Sequence, residues 1–580
     1  MVELNGMAVS SGIAIGKALL MKERELVVEE YQLEEDQIEN EVQLFRISID
    51  VVIKEIEEYI RNFSLTKEDK AILETHVMIL LDPDFHSEIE RLIKEEKRNL
   101  EQAIHLHFSK IVHVFRRMEN ELYSDRATDY EDVEQKLLMH LKKIDYNIIS
   151  EEIEGEIVVL NSLPPSLVSF LHHGKVAGII LTKGTKTSHS VIIAKAYGIP
   201  IVTGMQFKHK IHNDDLLIID AKKGLVICNP TEEKLQFYND LKNKLLQETN
   251  ALNTVKELPS ATADSQTISI LNNIELPLEI NTVLNLNSEG IGLFRTEFFY
   301  LNRPKLPEEE EQFLEYKALA KRLEQKPVVI RTIDVGGDKI GGLYAPVHEE
   351  NPYLGCRGIR FSLKNKPIFK TQLRAILRAS IYGNIHIMFP MVASVEEFLE
   401  AKECLVECKN ELINQKIPFK DNIPIGTMIE IPSAALSSEN LAKYSDFFSI
   451  GTNDLLQYTV AVDRNNQTVA HAYNPYNPAF LNLILLTINN AKKHHIPVSI
   501  CGELASDLNF SAFLLNAGIR NFSVGVDHSL LIKKYMRTID SRKGVYYLDQ
   551  LKNCETAHDT RQFIERINSI CVFDEKNGVT

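Results

Sequence analysis

The sequence has no apolar run long enough to cross a membrane, so we expect no transmembrane helix. It also lacks the positively charged start of a secretion signal, because Glu3 stands where a basic residue would be expected. We therefore expect a cytoplasmic protein. The seven cysteines are an odd, scattered set, unlike a disulfide framework. Cys404 and Cys408 lie one helical turn apart, but no flanking ligands predict zinc, and we assign them no role.

Basic residues are outnumbered in the chain. Lys and Arg together number 65 against 81 Asp and Glu, which gives a formal net charge of −16. This excess of acid disfavours bulk binding of nucleic acid. An anionic substrate must then be held by a local cluster of cations, and a protein partner attracted by the overall field should carry a basic face.

The 580 residues exceed what one hydrophobic core usually holds, so several domains are expected. Residues 1–22 alternate small and apolar side chains and end in a strand-like stretch. Residues 23–143 have helical periodicity, with Leu73, Val77, Leu80 and Leu81 predicted on one buried face, and they predict a helical bundle with an acidic exterior.

Strand patterns return in residues 144–230, as EIVVL, GIIL, PIV, LLIID and LVIC. The strand in residues 1–22 needs partners that the helical stretch lacks. We therefore expect residues 1–22 and 144–230 to form one α/β domain in which the bundle is inserted. Residues 231–261 predict a connecting helix and hinge.

Strands and helices alternate through residues 262–580. The eight strand candidates are TISIL, GIGLFR, PVVIRTI, HIMFPM, IGTMIE, FFSIGT, VSICGE and NFSV. Eight such units predict a (β/α)8 or TIM barrel, whose catalytic groups lie at the carboxyl ends of the strands. The fold class expected for the whole chain is multidomain α/β.

Several chemically capable residues stand at or just past the ends of these candidate strands, and we expect them to converge: Arg295, Arg331, Glu430, Asn453, Asp454 and Cys501. Arginines bind phosphate and carboxylate oxygens bidentately, and Arg464 adds a third guanidinium from a following loop. Glu430 and Asp454 are oxygen ligands suited to Mg²⁺. Taken singly, each charged residue has a plainer interpretation as an ion pair or helix cap, and Cys501 as a buried apolar residue or an acid.

A second candidate lies in KGTKTSHSVIIAKAYGIP, residues 183–200. Here a loop with several hydroxyl side chains leads through His189 into an apolar helix start. Neutral imidazole is a competent nucleophile toward phosphorus, and a helix N-terminus would stabilise the phosphate that it acquires. The alternative interpretation is a histidine that merely caps the helix.

From residue 3 nearly to its end, the chain resembles enzyme I of the bacterial phosphotransferase system, the phosphoenolpyruvate-protein phosphotransferases. The resemblance rests on GMAVSSGIAIGKALL, TKTSHSVIIAKAYGIPIVTG, GIGLFRTEFFY, VVIRTIDVGGDK, ENPYLGCRGIR, MFPMVASVEE, FFSIGTNDLLQYTVAVDRNN and CGELASD. It implies a phosphohistidine at His189, carried on Nε2 within a swivelling domain, and a barrel that binds phosphoenolpyruvate.

The resemblance also implies roles for residues that match the family's motifs. Substrate would be bound by Arg295, Arg331, Arg464, Asn453 and Asp454, with Arg357 and Lys339 near the phosphate; Mg²⁺ would be held by Glu430 and Asp454, and the enolate protonated by Cys501. The bundle would dock the histidine phosphocarrier protein HPr through stretches that contain Glu68, Glu74, Asp82, Asp84 and Arg126. The barrel domain would form a homodimer.

Three departures from the family pattern cluster near His189. Thr185 replaces a usual glycine, Lys195 a usual arginine, and Val168 a usual hydroxyl residue, with Ser166 and Ser169 as possible substitutes. Pyruvate phosphate dikinase and phosphoenolpyruvate synthase share the phosphohistidine and barrel units but need an ATP-binding domain, which no segment here resembles. A catalytically silent scaffold would lack a nucleophile, metal ligand or proton donor, and none is missing.

Overall fold

The computed structural model describes residues 1–10, 12–21, 28–62, 67–117, 121–142, 155–161, 176–182, 198–205, 210–300, 306–336, 351–464, 466 and 468–572. The chain divides into two compact units, Met1–Gln247 and Glu248–Thr580. Within the described ranges, no helix is both long enough and apolar enough to span a membrane.

The first unit contains an eight-stranded sheet in the order β1-β8-β7-β3-β4-β5-β6-β2. Its strands are β1 (Val2–Asn5), β2 (Met7–Ala8), β3 (Ile13–Leu20), β4 (Ile157–Leu160), β5 (Gly178–Leu181), β6 (Ile201–Thr203), β7 (Leu216–Asp220) and β8 (Leu225–Cys228). Strand β3 pairs in parallel with β4 and antiparallel with β7, so it lies in the middle of this sheet, while β1 and β2 form its two edges. All residues of β4 and β5 are buried, in keeping with their unbroken apolar sequence.

A helical bundle lies between β3 and β4 in the chain. Its helices are α1 (Ile38–Asn62), α2 (Lys67–Leu80), α3 (Pro83–Lys94), α4 (Leu100–Arg117) and α5 (Glu121–Leu141). Phe45, Phe85 and Phe108 are buried in its core. The prediction for Leu81 was wrong: its side chain is 57% exposed, because α2 ends at Leu80 and the chain turns there.

The turn after α2 starts the next helix. The Asp82 side chain accepts a hydrogen bond from the amide of Asp84 at 2.9 Å, and Pro83 occupies the first helical position. A capping carboxylate followed by proline strongly favours the start of a helix. The carboxylate accepts a hydrogen bond from one of the first helical amides, and proline has no amide N–H that needs a partner. Helix α6 (Glu232–Asn253) follows β8 in the chain and contains the boundary between the two units.

The second unit is a closed barrel of eight parallel strands, which confirms the predicted barrel. The strands are β9 (Ser269–Ile274), β10 (Ile291–Arg295), β11 (Pro327–Arg331), β12 (Asn384–Phe389), β13 (Ile425–Ile429), β14 (Phe447–Gly451), β15 (Val498–Cys501) and β16 (Asn521–Gly525). The described helices around it are α7 (Ile280–Asn285), α8 (Glu309–Leu323), α9 (Ile359–Lys364), α10 (Lys366–Ala379), α11 (Val395–Asn414), α12 (Pro432–Leu436), α13 (Ser438–Leu441), α14 (Thr452–Val460), α15 (Pro478–Lys493), α16 (Leu508–Ala517), α17 (Ser529–Met536) and α18 (Ala557–Cys571).

The two ends of the barrel differ in character. At the amino end, residues near the starts of the strands line a cavity of about 780 Å³, and His386 and Phe447 are among them. In mid-barrel, Leu293, Met388 and Met428 fill the interior. At the carboxyl end the strand register places Arg295 beside Arg331, so that neighbouring strands end at one level. The carboxyl end therefore gathers the polar groups.

Candidate active site at the carboxyl end of the barrel

The barrel brings most of the predicted site residues to one mouth. Arg295, Arg331 and Cys501 are the last residues of β10, β11 and β15. Glu430 directly follows β13, while Asn453 and Asp454 lie in the first turn of α14, which starts immediately after β14. Parallel strands of a closed barrel end at the same face, so these side chains share one end of the barrel.

The centre of the mouth is a buried ion-pair cluster. Asp334 accepts hydrogen bonds from Arg357 Nε and Nη2, each at 3.1 Å, and its Oδ2 lies 2.9 Å from Arg331 Nη1. Arg357 also donates to Asp454, from Nη1 at 3.3 Å and from Nη2 at 3.1 Å. Tyr458 accepts from Arg357 Nη1 at 3.3 Å. Two guanidinium groups are thus held in one buried region by one carboxylate that follows β11 and another in the first turn of α14.

Arg295 and Arg331 each pair with a carboxylate that follows the preceding strand of the barrel. Arg295 donates to Glu275, which follows β9, and Arg331 Nη2 donates to Glu297, which follows β10, at 2.8 Å. The Glu297 carboxylate also accepts the backbone amide of Asp334 at 3.1 Å. The buried Nε atoms of Arg295 and Arg331 have no hydrogen-bond partner within the described part of the chain. Donor capacity therefore remains for an anion.

Glu430 is almost wholly buried, with 1% of its surface exposed. Its Oε1 accepts the backbone amide of Met391 at 2.6 Å. Burial, together with the nearby charges of Asp334 and Asp454, raises the pKa of Glu430 well above its usual value, and Arg331 and Arg357 offset only part of this. The carboxyl group therefore lies where an additional positive charge would be favourable.

Asn453 lies at the mouth, and the oxygen of its side-chain amide is already hydrogen-bonded. Its Oδ1 accepts the backbone amide of Glu503 at 2.9 Å, and its carbonyl oxygen accepts from the Tyr473 hydroxyl at 3.1 Å. The side-chain NH₂ is then the end of the amide left for an anionic ligand. Gly502 supports this arrangement, since its φ of +87° and a Cβ position only 2.9 Å from Asn453 Oδ1 both require glycine.

Cys501 is a buried thiol, 2% exposed. Its Sγ lies 3.4 Å from the Ile450 carbonyl oxygen and 3.6 Å from the Ser449 hydroxyl. Burial, with a smaller contribution from Glu430, raises the pKa of Cys501 to about 11, although Ser449 and the arginines act in the opposite direction. A group with this pKa stays protonated at neutral pH, and it can serve as a proton donor.

Arg464 lies on the rim rather than in the buried cluster. Its side chain is exposed, and its backbone amide donates to Gln457 Oε1 at 3.3 Å. Burial raises the pKa of Tyr473 to about 12, while the charge of Arg464 and its hydrogen bond to the phenol oppose this shift. Because Tyr473 reaches the backbone of Asn453, Arg464 is connected to the mouth through that tyrosine.

The sequence analysis missed two acidic residues of this site. Asp334 and Glu297 stand three and two residues after the arginines at the ends of β11 and β10. An acidic residue that soon follows a strand-end arginine is the signal that would have indicated them. Other predicted residues lie outside the described residues: His189, Lys339, Ser166, Val168, Ser169, Thr185 and Lys195, together with the side chains of Glu68 and Arg126.

Comparison with protein families agrees with this architecture. Residues 5–126 match the N-terminal domain of PEP-utilising enzymes, residues 152–224 their mobile domain, and residues 249–541 their PEP-binding domain. Every described residue of the barrel mouth falls within the last of these ranges. The chain is therefore built as a PEP-utilising enzyme.

Relatives that match over nearly the full length show which family of PEP-utilising enzymes this is. The chain is 37% identical over 571 residues to the phosphoenolpyruvate-protein phosphotransferase of Listeria monocytogenes, covering 97% of this chain and 99% of the relative. It is 38% identical over 572 residues to that of Bacillus subtilis, with the same coverage of each chain. It belongs to the phosphoenolpyruvate-protein phosphotransferase family. An NMR structure of an Enzyme I protein matches at 30% identity with a TM-score of 0.37, over 42% of this chain and 99% of that one.

Proposed function

We propose that this protein transfers the phosphoryl group of phosphoenolpyruvate to Nε2 of His189, releases pyruvate, and passes the group to the phosphocarrier HPr, the first step of sugar uptake by the phosphotransferase system. The relatives carry the name of this reaction. The observation that carries the proposal is the cluster at the barrel mouth, where Arg331, Arg357, Glu430 and Asp454 meet beside the Cys501 thiol.

Phosphoenolpyruvate presents a phosphate and a carboxylate, and the mouth offers several cations for them. Arg295, Arg331 and Arg357 are the substrate anchors near the end of the barrel, while Arg464 approaches from the rim and Asn453 supplies an amide. Lys339 is a further cation for the phosphate. Guanidinium groups held by fixed carboxylates need little reorganisation when an anion arrives, and such preorganisation favours transition-state binding.

The residues present also fit Mg²⁺. Glu430 and Asp454 offer hard oxygen atoms, and a Cβ at Gly451 would lie 2.9 Å from Glu430 Oε2, so the glycine keeps the space beside that oxygen open. Within the described ranges, no group of three or more His, Cys, Asp or Glu residues forms a full metal cage. Two carboxylates suit a Mg²⁺ that completes its coordination with water and substrate phosphate. When bound, Mg²⁺ supplies positive charge to the phosphoryl group.

The chemistry balances with these groups. The His189 imidazole forms the new N–P bond as the bond between phosphorus and the enolate oxygen breaks. Arg331 and Arg357 stabilise the negative charge on the phosphoryl oxygens. The methylene carbon of the enolate then takes the proton from Cys501 Sγ, which gives pyruvate, and water reprotonates the thiolate. The raised pKa of Cys501 suits a donor that must remain protonated until the enolate forms.

Docking of HPr is assigned to the helical bundle. Asp82 and Asp84 are exposed at the start of α3, and the exposed side chains of Met78 and Leu81 lie close by in the sequence. An acidic surface with an apolar portion suits a small partner that has a basic face. We also propose a cytoplasmic homodimer formed through the barrel unit, where Leu354 and Leu436 are exposed large apolar residues.

Pyruvate release coupled to HPr tests this function. The full chain, phosphoenolpyruvate, Mg²⁺ and purified HPr should give pyruvate and phosphorylated HPr in equal amounts, and omission of HPr should limit pyruvate to a single turnover. Continued pyruvate release without HPr would show that water is the acceptor and would contradict the proposal. Light scattering of the same sample tests the dimer.

A further inference from the structure

We propose that Asp334 is the positioning residue that holds Arg331 and Arg357 in the orientations needed to receive phosphoenolpyruvate. This inference rests on the function proposed above. It concerns a residue between the two arginines that does not itself bind substrate.

The Asp334 carboxylate contacts both arginines of the cluster. Its side chain is 2% exposed, and one carboxylate binds the Nε and Nη2 edge of Arg357 as well as Nη1 of Arg331. Its backbone amide is fixed in turn by Glu297. A bidentate contact sets the plane of a guanidinium group as well as its place, so Asp334 fixes the direction in which Arg357 presents its remaining N–H groups.

The backbone packs tightly against this carboxylate. Gly358 has a φ of +60°, and a Cβ there would lie 3.2 Å from Asp334 Oδ1 and 2.8 Å from Met391 Cβ. Any side chain at Gly358 would press on the Asp334 carboxylate. Gly358 therefore leaves room for the Asp334 carboxylate in the orientation that contacts both arginines.

Charge balance gives Asp334 a role between the two arginines. Two like-charged guanidinium groups would repel each other in a buried site, and the carboxylate between them offsets that repulsion. Burial would raise the pKa of Asp334, but Arg331 and Arg357 hold it below its usual value, so the group stays ionised. Asp334 contacts both guanidinium groups, whereas Asp454 contacts that of Arg357.

Two substitutions in the full chain test the inference. Asp334→Asn removes the charge with little change in shape. Asp334→Glu keeps the charge but moves the carboxylate by one methylene. If Asp334 positions the arginines, Asp334→Asn should lower kcat/KM for phosphoenolpyruvate by about 100-fold, and Asp334→Glu should raise KM by about 10-fold, because a displacement of about 1 Å in a positioning group has effects of this size.

The KM value separates positioning from simple stabilisation. A purely structural role would reduce the folded fraction, so the apparent kcat would fall while KM stayed constant. Asp264→Asn is a matched control, because the Asp264 side chain is also buried and lies 3.3 Å from the guanidinium of Arg542, but Asp264 precedes β9 at the other end of the barrel. We expect the control to lower the melting temperature without changing KM.

A double-mutant cycle shows whether Asp334 acts through its partner. In an Arg357→Gln background, Asp334→Asn should lower kcat/KM by clearly less than about 100-fold, since the contact with Arg357 is already lost and the contact with Arg331 remains to be removed. An unchanged KM in Asp334→Glu, or fully additive effects in the cycle, would overturn the inference. Wild-type protein that does not react with phosphoenolpyruvate would instead overturn the proposed function.

Discussion

Arg357 joins the two sides of the barrel mouth through Asp454, whose two carboxylate oxygens it contacts at 3.3 and 3.1 Å. The residues are 97 positions apart in the chain. One guanidinium group thereby connects a candidate metal ligand with the cluster that we propose to bind phosphate. Substrate binding and metal binding at this mouth should therefore depend on each other.

Replacement of Arg357 by lysine tests the need for this geometry. Lysine keeps the charge but has no planar fork, so it cannot contact Asp334 and Asp454 together in the same way. We expect Arg357→Lys to lower kcat/KM for phosphoenolpyruvate by at least about 10-fold, because the substitution removes one or two charge-assisted hydrogen bonds. Steady-state pyruvate release measures it. The matched control is Arg360→Lys, an exposed arginine near by in the chain, which should leave the rate unchanged.

Cys501 gives a prediction about kcat. A serine hydroxyl is a far weaker acid than the thiol it replaces, so proton delivery to the enolate should slow. We expect Cys501→Ser to lower kcat for pyruvate release by about 100-fold, the usual contribution of a general acid, with KM changed by less than about 3-fold. Cys404→Ala removes an equally buried thiol from helix α11 and should leave kcat unaffected. A normal kcat in Cys501→Ser would show that another group donates the proton.

Glu430 gives a prediction about metal. Chelation of divalent cations should abolish the reaction, and Mg²⁺ should restore it. Glu430→Gln keeps the shape but removes a charged oxygen ligand, so half-maximal activity should need about 10-fold more Mg²⁺, a typical cost of disturbing a metal site. A Mg²⁺ titration of pyruvate release in both proteins measures this shift. Identical titration curves would show that Glu430 is not a ligand.

His386 gives a prediction about stability and pH. Burial lowers its pKa from 6.5 to about 4, against the nearby charge of Asp446 and together with that of Lys420. Below pH 6.5 the unfolded chain gains a proton at this site that the folded barrel does not accept, so stability falls as the pH drops toward 4. At about pH 5 the loss should be about 2 kcal/mol.

Urea unfolding of the barrel at about pH 7 and about pH 5 measures this loss. His386→Gln removes the titrating group, and its stability should change less between the two pH values than that of the wild type. His471→Gln, which alters an exposed histidine of the same unit, should behave like the wild type. Equal pH dependence in wild type and His386→Gln would contradict the prediction.

The sequence predicted the fold correctly where the local pattern of apolar and turn residues determines the secondary structure. All eight strand candidates of the barrel are strands, because short apolar runs bounded by turn residues leave few alternatives. Leu81 was placed on the wrong face because helical periodicity does not itself show where a helix ends. The termination depends on the Asp82-Pro83 start of the next helix.

The site was readable only in part. Arg295, Arg331 and Cys501 were indicated because the end of a barrel strand is a position with known meaning. Asp334 was missed because its importance comes from Arg331 and Arg357 together, and Arg357 is 23 positions away in the chain, beyond the reach of any local pattern. The protonation of Cys501 likewise depends on burial that only the closed barrel creates.

The most direct test of the central claim is labelling of the protein itself. Purified wild-type chain, Mg²⁺ and phosphoenolpyruvate with a labelled phosphate should give one acid-labile, base-stable label per chain, located on the peptide that contains His189, and His189→Ala should give none. Absence of label in the folded wild type, or label retained in His189→Ala, would contradict the account.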